Sequence, residues 1–438
     1  VLKRKKGFNI VTKSKRCKLL RNGFDLLETK KVYNDVVLWF FLVINEDPQG
    51  VVIPVSKDGG WRYYERKILG DEPEYEFPWD RFPSPLRRSA IRKAIGAWTS
   101  WHSSFVKWKN RPKRQKHHRP PKHPSSFNFS PSFDVGTRKN DDGYSICLKI
   151  LVKGQWKWIK FSYQAPPVSD EWVKGSPSVI CFGKGAYITF PLEKYIPATG
   201  GAKKLMAADS YRVCGVDMDL NRHIAILSIL EIDAKGQVCE IARHFINQTD
   251  HIKRRKRDLG LIATRMRSTG IVHKGFCSTR WQKISRREVS VARYFARRLV
   301  NFAHHYGACL IAFEHLGNLK PIKGKYSRLS NQKRAYWLKS KLFEQVRNIA
   351  YNDYGLLTLR VNPKDTSRQD PWGNLLWRGN DFPTSLLEYL DYQQGANYVA
   401  TTGGYKAHSG LNAARNIGLK AIRRHRTNPT LLRRRGKP

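Results

Sequence analysis

The chain has 438 residues and carries 81 Lys and Arg against 35 Asp and Glu, a formal net charge of +46. Hydrophobic residues make up 40%, which predicts two or three folded domains and excludes a wholly disordered protein. A positive surplus of this size repels itself unless a polyanion neutralises it, so nucleic acid is the expected partner. The 13 Trp and 19 Tyr interleaved with the basic residues favour the same partner.

The first half begins with two runs that we interpret as strands, NGFDLLETKKVYN and VVLWFFLVI at 36–44. The second run is the longest apolar stretch, and it is far shorter than the roughly 20 residues that a membrane span needs, so we expect no membrane partner. The seven cysteines form no CxxC pair. This spacing predicts reduced thiols in a cytoplasmic protein.

The segment SPLRRSAIRKAIGAWTSWHSSFVKW predicts a helix with Ser84 as its N-cap and its aromatic residues in the core. A Pro-rich loop follows at 109–126, with seven Lys and Arg, three His and no acidic residue. The outer face of the helix and this loop supply the first candidate phosphate contacts: Arg87, Arg88, Arg92, Lys113, Arg114, Lys116, Arg119 and Lys122.

Strand patterns return in DGYSICLKILVKGQWKWIKFSYQ and SVICFGKGAYITFPLEK, with turn signals that suit antiparallel hairpins. We therefore predict an N-terminal β-barrel interrupted by a helical insert. Its first part covers 1–80, the insert and basic linker cover 81–125, and its second part covers 126–207.

From 208 onwards the pattern changes to three strands followed by alternating helices and strands, the order of a ribonuclease-H-like α/β sheet. The chain as a whole is therefore predicted to be an α+β multidomain protein. A basic helical segment supplies four more candidate phosphate contacts: Lys253, Arg254, Arg255 and Lys256. A basic tail closes the chain, and we expect it to be frayed unless nucleic acid orders it. Its basic residues are Arg423, Arg424, Arg426, Arg433, Arg434, Arg435 and Lys437.

Two acidic residues end buried strands of this second half. Asp217 follows RVCGV and Glu314 follows CLIAF. Carboxylates at the ends of neighbouring strands are what two-metal phosphodiester hydrolysis requires, and magnesium prefers such oxygen ligands. Asp219 would point to the same face on an extended strand, but we favour its placement in the turn DLNR.

Four segments, GVDMDLNRHIAIL, IAFEHLGNLKPIKGKYS, NPKDTSRQ and LNAARNIG, stand in an order that resembles the RuvC domain of transposon-encoded TnpB nucleases. That family is related to the type V CRISPR effectors, and the resemblance covers about 211–420. The first half matches only in layout, and there the resemblance implies an oligonucleotide-binding β-barrel with a helical recognition insert. It implies that Asp217 and Glu314 are catalytic metal ligands and that a third ligand should stand at position 410. Position 410 is glycine, so we expect magnesium to bind weakly at best.

The family also carries a zinc ribbon, which would correspond to 362–408. Its cysteines would fall near Asp370, Gly373, Ala400 and Gly403, and no Cys occurs after Cys309. A structural zinc site needs about four such ligands. We therefore expect a ribbon remnant without zinc.

The resemblance implies a protein that carries a guide RNA and pairs it with target DNA in the prokaryotic cytoplasm, associated with the nucleoid when bound. Our leading hypothesis is an RNA-guided DNA-binding protein with absent or weak cleavage, acting as a targeting or repressor subunit. Transposition or transcription proteins are further candidate partners. One alternative is an active endonuclease with a substitute carboxylate from Asp219, Asp370, Asp381 or Asp391. A second is a transposase-like DNA-binding protein without a guide.

Overall fold

The computed structural model describes residues 2–3, 5–20, 26–52, 60–112, 119–164, 168–182, 185–219, 222–270, 273, 275–317, 321–322, 324–325, 327–335, 338–378, 398–424 and 430–431. The chain is of mixed α+β type and divides into two compact units, Val1–Tyr195 and Ile196–Pro438. Within the described residues, none of the helices combines the length and apolar composition needed to cross a membrane.

The first unit contains one strand, four helices and then six strands. Their bounds are β1 Phe8–Leu19, α1 Leu27–Glu46, α2 Gln49–Val52, α3 Trp61–Leu69, α4 Ser84–Lys109, β2 Arg138–Lys139, β3 Ser145–Val152, β4 Gln155–Gln164, β5 Val173–Lys174, β6 Ser178–Phe182 and β7 Gly185–Pro197. The sheet order is β2-β3-β4-β1-β7-β5, and β6 pairs with β7. The sheet curls into a half-barrel.

The β3–β4 hairpin turns at Lys153 and Gly154, both of which have positive φ. Two consecutive positive φ values are those of a type I′ turn, which matches the twist of the strands it joins. The hairpin predicted around the KGQ signal is present. The GKG signal falls partly at 183–184, outside the described residues.

The prediction of strands over 27–44 is wrong, because this segment is the long helix α1. Its buried side chains include Tyr33, Val37, Phe40, Phe41 and Ile44, which recur three and four residues apart. Such a spacing places them on one face of a helix, where α1 packs on α4 and β3. A short continuous apolar run is compatible with a buried strand or a buried helix, and the helical spacing of its neighbours decides between them.

In the second unit, three strands are followed by alternating helices and strands, as the sequence predicts. The bounds are α5 Ala202–Leu205, β8 Tyr211–Asp217, β9 His223–Ile232, β10 Gln237–Asn247, α6 Thr249–Thr269, α7 Ser278–His305, β11 Leu310–Glu314, α8 Arg328–Ala335, α9 Lys339–Tyr354, β12 Leu357–Val361, β13 Trp377–Arg378, β14 Tyr398–Ala400, β15 Lys406–His408, α10 Ser409–Arg423 and β16 Thr430–Leu431. The main sheet has the order β12-β11-β8-β9-β10-β16.

Strands β8, β9 and β10 are antiparallel neighbours, whereas β11 runs parallel to β8 and β12 runs parallel to β11. One face of the sheet packs on α7 and α9 through side chains such as Val216 and Phe313. The other face packs on α10 through side chains such as Val213 and Ala312. Because alternate residues of a strand face opposite sides, Asp217 and Glu314 lie on the α10 side.

Helix α10 lies unusually close to β8. A Cβ added to Gly215 would meet the carbonyl oxygen of Ala414 well inside van der Waals contact, and one added to Gly418 would meet Leu230 Cδ1 at 2.7 Å. Only residues without a side chain permit this approach. It brings the first turn of α10 to the end of β8.

Candidate metal centre and nucleic-acid contacts

Asp217 and Glu314 occupy equivalent positions at the ends of two adjacent parallel strands. Val216 pairs with Phe313, and the two acids are the next residue on each strand. Neighbouring strands lie about 4.8 Å apart, so the two carboxylates start from adjacent points on one edge of the sheet. The structure therefore brings together the two acidic residues that the sequence singled out.

Position 410, where the resemblance expects a third acid, lies directly against Asp217. A Cβ built on Gly410 would stand 2.9 Å from Asp217 Oδ2 and well under 3.0 Å from Ile226 Cδ1. Ile226 pairs with Asp217 across β8 and β9, and its side chain is fully buried. The space that a third carboxylate would need is therefore filled by hydrocarbon.

The remaining residues do not fit a pair of magnesium ions. In the described ranges, no group of three His, Cys, Asp or Glu side chains is placed to hold a metal ion. Two-metal sites need several converging carboxylates, and here Ile226 Cδ1 lies where the Cβ of a third ligand at position 410 would stand. We therefore derive no metal-dependent step for this edge.

Glu314 is held by the polar loop that follows β12. The hydroxyl of Thr366 donates a hydrogen bond to Glu314 Oε1. Burial raises the pKa of Glu314, while the Thr366 hydrogen bond and the charge of Lys420 act in the opposite direction. Its carboxylate is therefore partly desolvated and already engaged by a protein donor.

Two asparagines one turn apart on α10 anchor this loop. Asn416 Nδ2 donates to the carbonyl oxygens of Thr366 (3.0 Å) and Gln369 (2.7 Å), and Asn412 Nδ2 donates to Gln369 (2.9 Å). Lys420 Nζ donates to the carbonyl of Asn362 at 3.3 Å. These bonds explain why NPKDTSRQ and LNAARNIG stand together around Glu314.

The first turn of α10 is capped by an imidazole. His408 Nδ1 accepts a hydrogen bond from the Gly410 backbone N–H at 3.1 Å. His408 also packs edge-on against His223 and Phe245, with ring centroids 5.8 and 5.3 Å away. Burial and the neighbouring His223 lower the pKa of His408, and Asp219 opposes that shift. The imidazole is therefore suited to accept the bond in its neutral form.

The acids considered as substitute ligands have different surroundings. Asp219 lies beyond the end of β8, and its charge acts on both His223 and His408. Both carboxylate oxygens of Asp370 close its own turn: Oδ1 accepts from the N–H groups of Trp372 and Asn374, and Oδ2 accepts from Asn374 Nδ2. Asp381 and Asp391 lie outside the described residues.

The described part of 362–408 forms a three-stranded sheet, β13-β14-β15. The expected ribbon cysteines map to two turns, one closed by Asp370 and the other by Thr401. The Thr401 N–H donates to the Tyr405 carbonyl at 2.9 Å, and the Thr401 carbonyl accepts from the Gly404 N–H at 3.1 Å. Hydrogen bonds thus close both turns at the places where the family uses cysteines.

A buried ion pair ties this small sheet to the main sheet. Arg415 on α10 makes two hydrogen bonds to Glu240 on β10, at 3.1 and 2.6 Å, and donates to the hydroxyl of Tyr405 at 2.9 Å. That hydroxyl donates to Asn412 Oδ1 at 3.1 Å. Burial favours loss of charge on Arg415, but its contacts with Glu240 outweigh burial and raise the pKa of Arg415.

Sequence reasoning missed several residues of this edge. Ile226 could not be found because its place depends on the β8–β9 register, and His408 lies outside the four quoted segments. Thr366 lies in the segment NPKDTSRQ, but that pattern does not show that its hydroxyl contacts Glu314. The four-residue spacing of Asn412 and Asn416 on α10 was the one available signal, because it puts two amides on one helix face.

The candidate phosphate contacts divide by exposure. Arg88, Arg92, Arg119, Lys122, Lys253, Arg254 and Lys256 are exposed, whereas Lys113, Arg114 and Lys116 lie outside the described residues. Arg87 is largely buried against Glu65, 3.3 Å away. Arg255 is largely buried and contacts His251 at 2.8 Å and Glu288 at 3.2 Å. The last two arginines already have protein partners.

Adding one methyl group at position 410 should destabilise the second unit. Overpacking lowers the free energy of unfolding by about 1–3 kcal/mol. Replacing glycine by alanine reduces the conformational entropy of the unfolded chain, which raises that free energy by about 0.4–1 kcal/mol. Gly410→Ala should therefore destabilise the unit by about 1–2 kcal/mol. In an Ile226→Val background the same methyl should cost clearly less, because valine lacks Cδ1 and the contact with Asp217 Oδ2 remains. Denaturant unfolding of the two single variants and the double variant measures the coupling. Additive costs would contradict the contact between positions 226 and 410.

Neutralising Lys253, Arg254 and Lys256 together should weaken nucleic-acid binding. Each lost contact with a duplex phosphate should reduce the log–log salt slope by about 0.9. Arg255→Gln should instead lower the melting temperature, because the largely buried Glu288 then loses Arg255 and keeps the ion pair with Lys341 at 2.5 Å. Affinity measured over a salt series tests the triple variant, and thermal melting tests Arg255→Gln. An unchanged salt slope would remove the α6 cations from the binding surface.

Comparisons with known proteins give limited similarity. The family described as Aq_aa04 matches residues 13–152, less than half of the chain. None of the curated proteins matches. The described fold is similar to the Cas12f1-sgRNA-target DNA complex, with 13% identity, a TM-score of 0.46, and coverage of 90% of this chain and 81% of the other.

Two further structures are similar at the same level. The Cas12i1 R-loop complex before target DNA cleavage has 11% identity, a TM-score of 0.48, and coverage of 90% of this chain and 63% of the other. The AacC2c1-sgRNA-extended non-target DNA ternary complex has 12% identity, a TM-score of 0.40, and coverage of 89% and 63%. Since these TM-scores are below 0.5, the proposal of a function rests on the chain's own residues.

Proposed function

We propose that this chain is an RNA-guided DNA-binding protein of the TnpB and type V effector class that holds its target without cutting it. It would act as a targeting or repressor subunit in the prokaryotic cytoplasm. The observation that carries the proposal is Gly410 packed against Asp217, with Ile226 filling the place of a third ligand. Cleavage of DNA by two metal ions needs a carboxylate at that place.

The order of the main sheet supports the nuclease ancestry of the second unit. Three antiparallel strands followed by two parallel strands, with the acids at the ends of β8 and β11, form a ribonuclease-H-like arrangement. The four segments that resemble RuvC motifs fall on β8–β9, β11, the loop after β12 and α10. The sheet and the motifs thus agree on the same site.

Guide RNA and target DNA are the partners that this class and the charge support. A net charge of +46 exceeds what a short duplex contact needs, and it suits a protein that neutralises an RNA together with an RNA–DNA heteroduplex. In such complexes base pairing supplies sequence specificity, while the protein supplies shape and electrostatics. The first unit would then be the oligonucleotide-binding domain with its helical insert.

Co-purified RNA tests this function directly. The proposal expects one defined RNA species with a constant scaffold part, and tight binding of DNA complementary to its variable part. Sequencing the RNA and measuring binding of matched and scrambled DNA separates the outcomes. Random RNA fragments with equal binding to both DNAs would instead support a transposase-like protein without a guide.

One observation favours a second candidate function, an active endonuclease. The charge of Asp219 acts on His223 and on His408, the residue that caps the first turn of α10, so its carboxylate is a candidate for the ligand that position 410 lacks. Cleavage of matched DNA that Asp219→Ala abolishes would support the endonuclease, whereas target binding without cleavage by both proteins would support the first function.

A further inference from the structure

Three arginines from two helices converge on one tryptophan in the first unit. The guanidinium carbons of Arg62, Arg88 and Arg92 lie 5.5, 5.3 and 5.1 Å from the centroid of the Trp61 ring. Trp61 opens α3 and is 8% exposed, whereas all three arginines are exposed. The buried indole ring is thus contacted by three guanidinium groups whose side chains are exposed to solvent.

This arrangement concentrates positive charge. Arg88 and Arg92 stand one helical turn apart on α4, and like charges at that spacing repel. Glu65 offsets part of this charge, since it contacts Arg87 at 3.3 Å and Arg88 at 3.1 Å. Glu65 thus contacts two of these four arginines, and the positive charge of the cluster is one that an anion would stabilise.

Trp61 restricts where the guanidinium groups can point. An arginine over an aromatic face gains cation–π energy and loses rotamer freedom before any ligand arrives. A guanidinium held in this way keeps its N–H donors directed outward and can bind phosphate oxygens in a bidentate manner. Three such groups spaced by one ring match a run of phosphates better than a single small anion.

We propose that Arg62, Arg88 and Arg92, arranged around Trp61, form a binding site for the phosphodiester backbone of a nucleic acid. The proposal rests on the proposed function for the nature of the polyanion, and it deepens that function by locating one contact surface. Arg88 and Arg92 bind phosphate oxygens directly, Arg62 extends the site along α3, and Glu65 orients Arg88.

The test compares two triple variants that remove the same charge. Arg62→Gln/Arg88→Gln/Arg92→Gln should weaken binding of a labelled single-stranded RNA or DNA duplex by at least about tenfold. It should also reduce the salt slope by roughly 0.7 to 0.9 for each lost contact. The matched control is Lys93→Gln/Lys107→Gln/Lys109→Gln, three exposed cations of α4 outside the site, which should cause a clearly smaller loss. Equal losses from both triple variants would overturn the proposal.

A second pair of variants tests the tryptophan without changing charge. Trp61→Leu should reduce affinity and the salt slope, whereas Trp61→Phe should preserve most of both, since it keeps an aromatic face. Thermal melting checks that each variant folds. If the triple arginine variant does not fold, the single variant Arg92→Gln is tested in its place. Unchanged binding by a folded Trp61→Leu variant would overturn the role of the ring.

The outcome is independent of the guide. Both RNA and DNA probes are unrelated to any guide sequence, so a protein without a guide would still show the arginine effect if the site exists. An effect on the RNA alone, or on the duplex alone, identifies which backbone the site prefers. Inorganic phosphate and unlabelled RNA can each be added as a competitor of the labelled probe at the same total phosphate concentration. If both inhibit probe binding equally, the result would contradict a polyanion site.

Discussion

Arg415→Met should unfold the region around α10, at a cost of about 3–5 kcal/mol. The variant leaves Glu240 as a buried charge without its bidentate partner, since the Glu240 side chain is only 5% exposed. It also removes the hydrogen bond from Arg415 to the Tyr405 hydroxyl. That hydroxyl donates to Asn412, and Asn412 in turn donates to the loop carbonyl of Gln369. Hydrogen exchange of α10 and β15 should therefore accelerate strongly.

The matched control removes both charges. Arg415→Met/Glu240→Leu should recover much of the lost stability, because replacing a buried ion pair by apolar residues of similar volume is often neutral. Thermal melting and hydrogen exchange of the single and double variants measure the recovery. A single variant as stable as the unchanged protein would show that this network does not hold the small sheet in place.

Gly410→Asp/Ile226→Val should create a metal site that neither single change creates. Gly410→Asp alone places Cβ against Ile226 Cδ1, whereas valine removes that methyl group for about 0.5–1.5 kcal/mol. The double variant should bind Mn²⁺ at least about tenfold more tightly than either single variant, or ~1.4 kcal/mol. Calorimetric or spin-resonance titration with Mn²⁺ measures the difference.

Two controls define this result. Adding Asp217→Asn to the double variant should abolish the gain, since the new site needs both carboxylates. Ile226→Val alone should bind no more Mn²⁺ than the unchanged protein. If the Gly410→Asp single variant binds Mn²⁺ as tightly as the double variant, then the Ile226 side chain does not block a ligand at position 410.

Periodicity identified the second unit better than the first. The three-strand start and the later alternation of helices and strands follow from long apolar patterns with clear turns, and the structure has this order. In the first unit, the run VVLWFFLVI is compatible with a strand or a helix, and the helical spacing of the buried residues around it, which pack on α4, identifies it as part of α1. Strand β1 was missed because its sequence, FNIVTKSKRCKL, has no sustained apolar alternation and carries four basic residues over 13–18.

The sequence could predict the acidic residues of the candidate site, but not the residues that contact them. Asp217 and Glu314 could be placed because each ends an apolar run, and Gly410 because the resemblance supplied a position for it. Ile226 and Thr366 could not, since they reach the acids through strand register and a loop path that no local pattern encodes. Similarly, the sequence could not show that Arg255 faces Glu288 instead of solvent.

The most direct test is to incubate the purified protein–RNA complex with matching DNA and magnesium. We expect the complex to bind the matched DNA and to leave both strands intact, because the corner beside Asp217 is occupied by Ile226 and bare backbone. Asp217→Ala should then leave binding unchanged. Cleavage of matched DNA that Asp217→Ala abolishes would contradict the account.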